Sequence, residues 1–254
     1  MGKMEKVISY FSFVFFVIVS VDMKEQHQYI IIPGFDLKDT EREFAEQDAD
    51  IYRPCPSYDL LCIRRYLSEH SKCKIANGPV PDPFFRIQSD NFYPTFNMSA
   101  TQSEVLYGGL NGVVKEFYVN RKSALTILAV DFQNVTLNVR EVIVRYHRRG
   151  QQAIVTNSTL DRERYASFRT TTVFNGFAEL ELENSETTAY VDSPPAVIVG
   201  PELGVHPDPT IALRFAAFIA NLPVITQENF LTSAPFYAST YIQYVLCDFG
   251  LMIK

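Results

Sequence analysis

Four cysteines, at positions 55, 62, 73 and 247, are the residues in this chain best suited to do chemistry. Three of them sit in one short stretch, IYRPCPSYDLLCIRRYLSEHSKC, from Ile51 to Cys73. Thiolates can hold a metal, attack a substrate or close disulfides. Zinc favours CxxC pairs, or CxxC followed by paired histidines, and the spacings Cys55-x6-Cys62-x10-Cys73 fit neither. His70 could serve as a fourth ligand, but a lone His on a polar helix face reads as a solvated side chain. A catalytic thiol needs an unpaired cysteine, whereas an even number of cysteines in an exported chain reads as disulfides. Other catalytic signatures are missing: GxSxG, HExxH, the P-loop and GxGxxG do not occur. Asp248-Phe249-Gly250 matches a kinase metal-binding motif in letters but lacks every companion motif. His27, His70, His147 and His206 are scattered, with no carboxylate or thiol at a catalytic spacing. RYHRRG, from Arg145 to Gly150, is a small basic cluster that reads as a solvated strand end. The expectation is a protein that is not an enzyme, with no metal and no cofactor.

The oxidising setting is inferred from the N-terminus. Lys3 and Lys6 precede VISYFSFVFFVIVSV, an unbroken apolar run from Val7 to Val21. As a helix it would reach about 22 Å at ~1.5 Å per residue, short of a ~30 Å hydrocarbon core. A basic start, a short apolar run and a small residue at Ser20 predict a signal peptide over 1–20, cleaved after Ser20. No later stretch reads as apolar enough to span a membrane, so the mature chain is expected to be soluble and secreted. Its net charge of −6 argues against a nucleic-acid partner, whose phosphates call for a basic face. With 47% hydrophobic residues and only 11 Gly among 254, it is a folding chain rather than a low-complexity fibre. Three N-x-S/T sequons, at Asn97, Asn134 and Asn157, predict N-glycosylation at solvent-facing turns. Asn157 falls just past a strand-rich run, where a turn is expected.

These residues need elements to position them. DLKDTEREFAEQDAD, from Asp36 to Asp50, sets seven carboxylates against Lys38 and Arg42 and reads as part of a solvated acidic arm over 21–50. From Ser57, which can cap, Leu60, Ile63 and Leu67 keep helical spacing. Ser123–Phe132 and Val135–His147 read as two strands. In the second, Val135, Leu137 and Val139 share a parity that passes to Val142, Val144 and Tyr146, which predicts a bulge near Arg140–Glu141. Arg169–Glu183 ends in alternation, with Ala178, Leu180 and Leu182 inward, and Ala196–Gly200 is a further strand. Asp208 and Pro209 open a helix along Ile211, Phe215, Phe218, Ile219 and Leu222, and a second helix is expected from about Ser233–Pro235 to Cys247. The expected fold is α+β: a long, curved, mostly antiparallel sheet with an N-terminal helix and C-terminal helices packed on its concave side. Residues 51–254 form one domain in this reading.

Taken together, several of these stretches resemble the fibrohexamerin family, glycoproteins that accompany fibroin heavy and light chains in lepidopteran silk. IYRPC-x6-C followed by EHSKC carries the likeness. PTFNMS (Pro94–Ser99), VKEFYVN (Val114–Asn120), ALTILAVD (Ala124–Asp131), TTVF (Thr171–Phe174) and VLCDFG (Val245–Gly250) extend it. The family's pattern would place one cysteine just before VKEFY and another where Phe132 stands; this chain has neither. The resemblance implies a secreted silk-gland protein, released to the lumen, that binds fibroin heavy and light chains non-covalently and keeps silk soluble until assembly. A weaker likeness in shape is to the juvenile-hormone-binding and takeout group, which implies a carrier of a small hydrophobic molecule. A lipid-sized cavity or a filled core would separate the two. Four cysteines allow three connectivities. We read Cys55–Cys62 as a local clasp and Cys73–Cys247 as a staple from the first helix to the last.

Overall fold

The structure is a computed structural model, and it describes residues 50–176, 178, 180 and 182–250. The expected signal peptide, and the acidic arm up to residue 49, lie outside the described residues.

Eight strands form one sheet in which every pairing is antiparallel. They are β1 (Ile51–Tyr52), β2 (Phe84–Tyr93), β3 (Met98–Gly108), β4 (Val113–Asn120), β5 (Leu125–Tyr146), β6 (Ile154–Asn175), β7 (Ser185–Val191) and β8 (Ala196–Ile198). β5 and β6, 22 residues each, are the spine. The first half of β5 pairs with β4, which holds β1, and its second half pairs with β3, which holds β2. β7 and β8 share the far edge of β6. The two runs expected around Gln133 are therefore one strand.

Strands that long stay on one core only if they bend, and two rows of irregular residues supply the bends. Val135, Leu137 and Val139 are buried, and so are Val142 and Val144, so the parity switch brings both sets to the same face. The neighbours switch in the same row: β3 between Gln102 and Val105, β6 between Ser158 and Asp161. Pairing passes from Ser103↔Glu141 to Val105↔Val139, and from Val139↔Asp161 to Glu141↔Thr159. Glu104, Arg140 and Leu160 are left facing one another, with Glu104 at φ +51° and Leu160 at φ +62°. A second row lies at Asn134, φ +53°, where burial passes from Phe132 to Val135 in β5 and from Phe168 to Tyr165 in β6. One extra residue per strand, aligned across strands, bends the sheet without losing its core face.

The expected strand through Ala178, Leu180 and Leu182 does not form. β6 stops at Asn175, Gly176 turns the chain at φ +79°, and a short 3-10 turn, Leu182–Asn184, precedes β7. Leu180 is buried as expected, but Ala178 is exposed. The partner of β6 is instead SETTAYV, whose Thr and Tyr suit a pleated edge.

Helix α1 (Leu60–His70) starts later than Ser57 predicts. Asp59 caps it, accepting from the Cys62 amide at 2.9 Å, and Ile63 and Leu67 face inward. Helix α2 (Pro209–Tyr241) has the expected cap, Asp208 accepting from the Thr210 amide at 2.8 Å. In place of two helices it is one, passing Pro223 and Pro235 and ending in a π turn, Ile242–Leu246. A proline inside a helix removes a hydrogen bond. Burial of Phe230, Ala234, Tyr237, Ala238 and Tyr241 on either side of Pro235 offsets that loss. By length and composition the 38 residues Pro209–Leu246 could cross a membrane, which corrects the expectation that nothing after the leader could. Here the helix lies against the sheet. Phe218 meets Tyr93 of β2, Tyr237 meets Tyr107 of β3, Tyr241 meets Phe132 of β5 and Phe230 meets Phe168 of β6.

Candidate functional site

The cysteines are all engaged. Cys55 is bonded to Cys62 across the entrance of α1, with Cα atoms 5.7 Å apart. Cys73 is bonded to Cys247, Cα atoms 5.2 Å apart, joining the chain after α1 to the chain after α2. Around the second bond Ile75 pairs with Cys247 in a short bridge, and the Asp248 amide donates to the Lys74 carbonyl at 2.7 Å. The Arg64 guanidinium on α1 also donates to the Val245 carbonyl at 2.5 Å. The Asp-Phe-Gly tripeptide belongs to this closure: Asp248 Oδ1 accepts from Gln243 and from the Gly250 amide. The described histidines are apart from one another. His70 stacks on Tyr66, His147 meets Ser99 at 2.8 Å, and His206 accepts from the Asp208 amide. Among the described residues no cluster of three or more His, Cys, Asp or Glu could hold a metal.

Aromatic side chains fill the interior. Phe132 stacks on Phe168 at 4.9 Å, Phe168 meets Phe230 at 4.7 Å, and Phe230 stacks on Tyr237 at 5.3 Å. Gly112 leaves Phe132 room: a Cβ at 112 would come within 3.0 Å of the Phe132 ring and 2.7 Å of Val130. Two of the spaces between α2 and the sheet hold about 30 Å³ each, room for a water or two, while a third, open one of about 310 Å³ lies between Pro235, Phe236 and Ser239 of the helix and Thr172 and Thr187 of the sheet. Lipid-sized pockets run to about 300–1,000 Å³.

One of these spaces is polar, which the sequence did not signal. Glu163 on β6 reaches beneath α2, where Gln102 Nε2 donates to it at 3.1 Å and the Tyr165 hydroxyl at 3.4 Å. Burial pushes the Glu163 carboxyl up, with the Gln102 and Tyr165 hydrogen bonds opposing. Burial likewise raises Tyr93, Tyr107 and Tyr165, so these phenols stay protonated. Next to it, Asp161 accepts from Ser158 and from the Gly200 amide, tying β8's exit to the bend in β6. Only glycine fits at 200, since a Cβ would lie 2.3 Å from the Thr159 carbonyl.

The opposite face carries two of the sequons, at Asn134 and Asn157, and a groove. Asn97, Asn134 and Asn157 are all exposed. Asn97 sits in a turn, left-handed at φ +51°. Asn134 and Asn157 lie within β5 and β6, not in turns, because both strands run through the bends that the sequence suggested were ends. At the first bend a groove of about 390 Å³ opens, lined by Phe85, Leu106 and Leu160 with the Glu104–Arg140 ion pair. Leu160 is 73% exposed. Arg145 and Arg148 of the basic cluster bond to Thr101 and to the Gln152 carbonyl.

The sequence of this chain is similar to that of known proteins. A protein named Fibrohexamerin from Galleria mellonella is 27% identical over 203 residues, covering 79% of this chain and 90% of that protein. The family model described as Fibroin P25 matches residues 51–251, from the first strand to just past the closure at Cys247. The chain belongs to the Fibroin P25 family of silk-associated proteins.

Proposed function

We propose that the chain is a secreted, non-catalytic glycoprotein subunit that binds fibroin heavy and light chains without covalent links. In that role it helps keep silk soluble through transport and assembly in the silk-gland lumen. In the same reading residues 1–20 are a cleaved leader, 21–50 an acidic arm and 51–254 one binding domain. One observation supports the non-covalent mode above all. All four cysteines are paired within the chain, so no thiol remains for a disulfide to a partner. The exposed sequons and the acidic balance suit a solubilising subunit, and the aromatic packing between α2 and the sheet, with water-sized gaps around Glu163, favours a filled interior over the carrier reading. Gentle size exclusion of native silk-gland secretion, with mass spectrometry of each fraction, tests the reading. Elution with fibroin heavy and light chains at high mass, unchanged when disulfides are blocked from exchange, is the expected result. Elution apart from both overturns it.

A further inference from the structure

Helix α2 buries one side and shows the other to solvent. Opposite the buried Leu222 stand Leu213, Val224 and Leu231, exposed by 70%, 50% and 58%, with the exposed Ala217 and Ala220 between them. Leu213 and Leu231 are 18 residues apart, about five turns, and so share one azimuth. The helix carries only two charges, Arg214 and Glu228, and both lie on the same flank of this apolar stripe. None of the three sequons falls on it.

We propose that this face is a homodimer interface, in which α2 of one copy packs antiparallel on α2 of a second copy about a two-fold axis level with Leu222. The placement of the two charges selects that occupant. Arg214 lies about 12 Å along the helix to one side of Leu222, and Glu228 about 9 Å to the other. An antiparallel two-fold keeps the shared flank on one side and reverses direction, so each Arg214 comes beside the Glu228 of the second copy, twice. A parallel pair would instead put the two charged flanks on opposite sides of the seam, with no Arg214 beside a Glu228 of the second copy. The same axis sets Leu213 against Leu231 and Ala220 against Val224, an isologous apolar seam with the charges at its rim. The small Ala217 and Ala220 near the axis let the backbones approach. This contact does not depend on fibroin binding and goes beyond it.

Sedimentation velocity on the purified full chain, across a concentration series, tests it. The expected result is a reversible dimer. Leu213→Glu with Leu231→Glu should leave a monomer, with its circular dichroism and melting unchanged. Arg214→Glu alone, or Glu228→Arg alone, should weaken the dimer about tenfold, since two rim pairs of up to ~1 kcal/mol each are lost. The double swap R214E/E228R should restore it. A chain that stays monomeric at every concentration overturns the proposal. So does a dimer indifferent to the leucine changes, or one that the double swap leaves as weak as the single changes do.

Discussion

The two halves of α2 are equally apolar in sequence yet are used differently. From Phe230 onward, Phe230, Ala234, Tyr237, Ala238 and Tyr241 are buried against the sheet, and Cys247 ties the end down. From Pro209 to Glu228 the sheet takes a narrow strip, Phe215, Phe218, Leu222, Ile225 and Thr226, while Leu213 and Val224 face outward. The inward residues include Phe215, Phe218, Phe230, Tyr237 and Tyr241, whose rings reach across to those of β2, β3, β5 and β6. The outward ones are Leu, Val and Ala. Total apolarity therefore says that the helix is in contact with something, whereas the kind of apolar side chain says with what.

Measurements of unequal size can break or sharpen this contrast. Replacing Cys73 and Cys247 by Ser should cost most. The bond spans a separation of 174 residues, and the loop-entropy model gives about 5 kcal/mol as an upper figure. Denaturant unfolding with and without the pair reads it, and a loss below ~1 kcal/mol would mean that packing alone fixes the C-terminal half. Phe230→Ala should cost about 3–5 kcal/mol by the same measurement, because it opens a hole among Phe168, Tyr165 and Tyr237. Gly200→Ala should cost about 1–3 kcal/mol, since the new methyl must displace the Thr159 carbonyl; a neutral result would show that the strap at β8 is loose.

Glu163→Gln tests the polar pocket through pH. The folded carboxyl titrates above its ordinary 4.5, so the native state holds a proton that the unfolded chain releases. Its contribution is full below that ordinary value and is lost as pH rises through the raised one. The variant should flatten this fall in melting temperature on the alkaline side of 4.5, and an unchanged profile would remove Glu163 as its source. Leu213→Ala should do least, within about 0.5 kcal/mol in the dilute monomer, because its side chain touches mainly water. A larger loss would place the outward face inside the folded unit after all.

Much of this was legible where a pattern repeats over many residues. The alternation in β5 reports its buried face, and the parity change after Val139 locates the bend, because burial is read two residues at a time. The caps of helices are written in single side chains, as at Asp208, but a nearby Ser57 imitated the true cap, Asp59. Alternation misled at Ala178–Leu182, where Gly176 had already turned the chain and the local sequence could not show that β6 had lost its partner row. Pro235 read as a helix start because a helix interior normally excludes it; only the long-range packing of Phe230 and Tyr237 explains its presence. The sequons were plain as triplets, yet their place in mid-strand depended on bends in neighbouring strands. Glu163 and Gln102 were invisible as a pair, being 61 residues apart.

The Cys73–Cys247 bond also sets a clock on how the protein is made. Cys73 leaves the ribosome long before its partner exists, and at ~5–20 residues per second the intervening 174 positions take about 10–35 s. During that interval the sheet can assemble strand by strand on an open groove, with one thiol waiting. The last helix arrives as a lid on a finished cradle, and only a chain translated nearly to its end can be sealed. A truncated copy is thereby marked by an unspent sulfhydryl at Cys73, a chemical record that its synthesis stopped short.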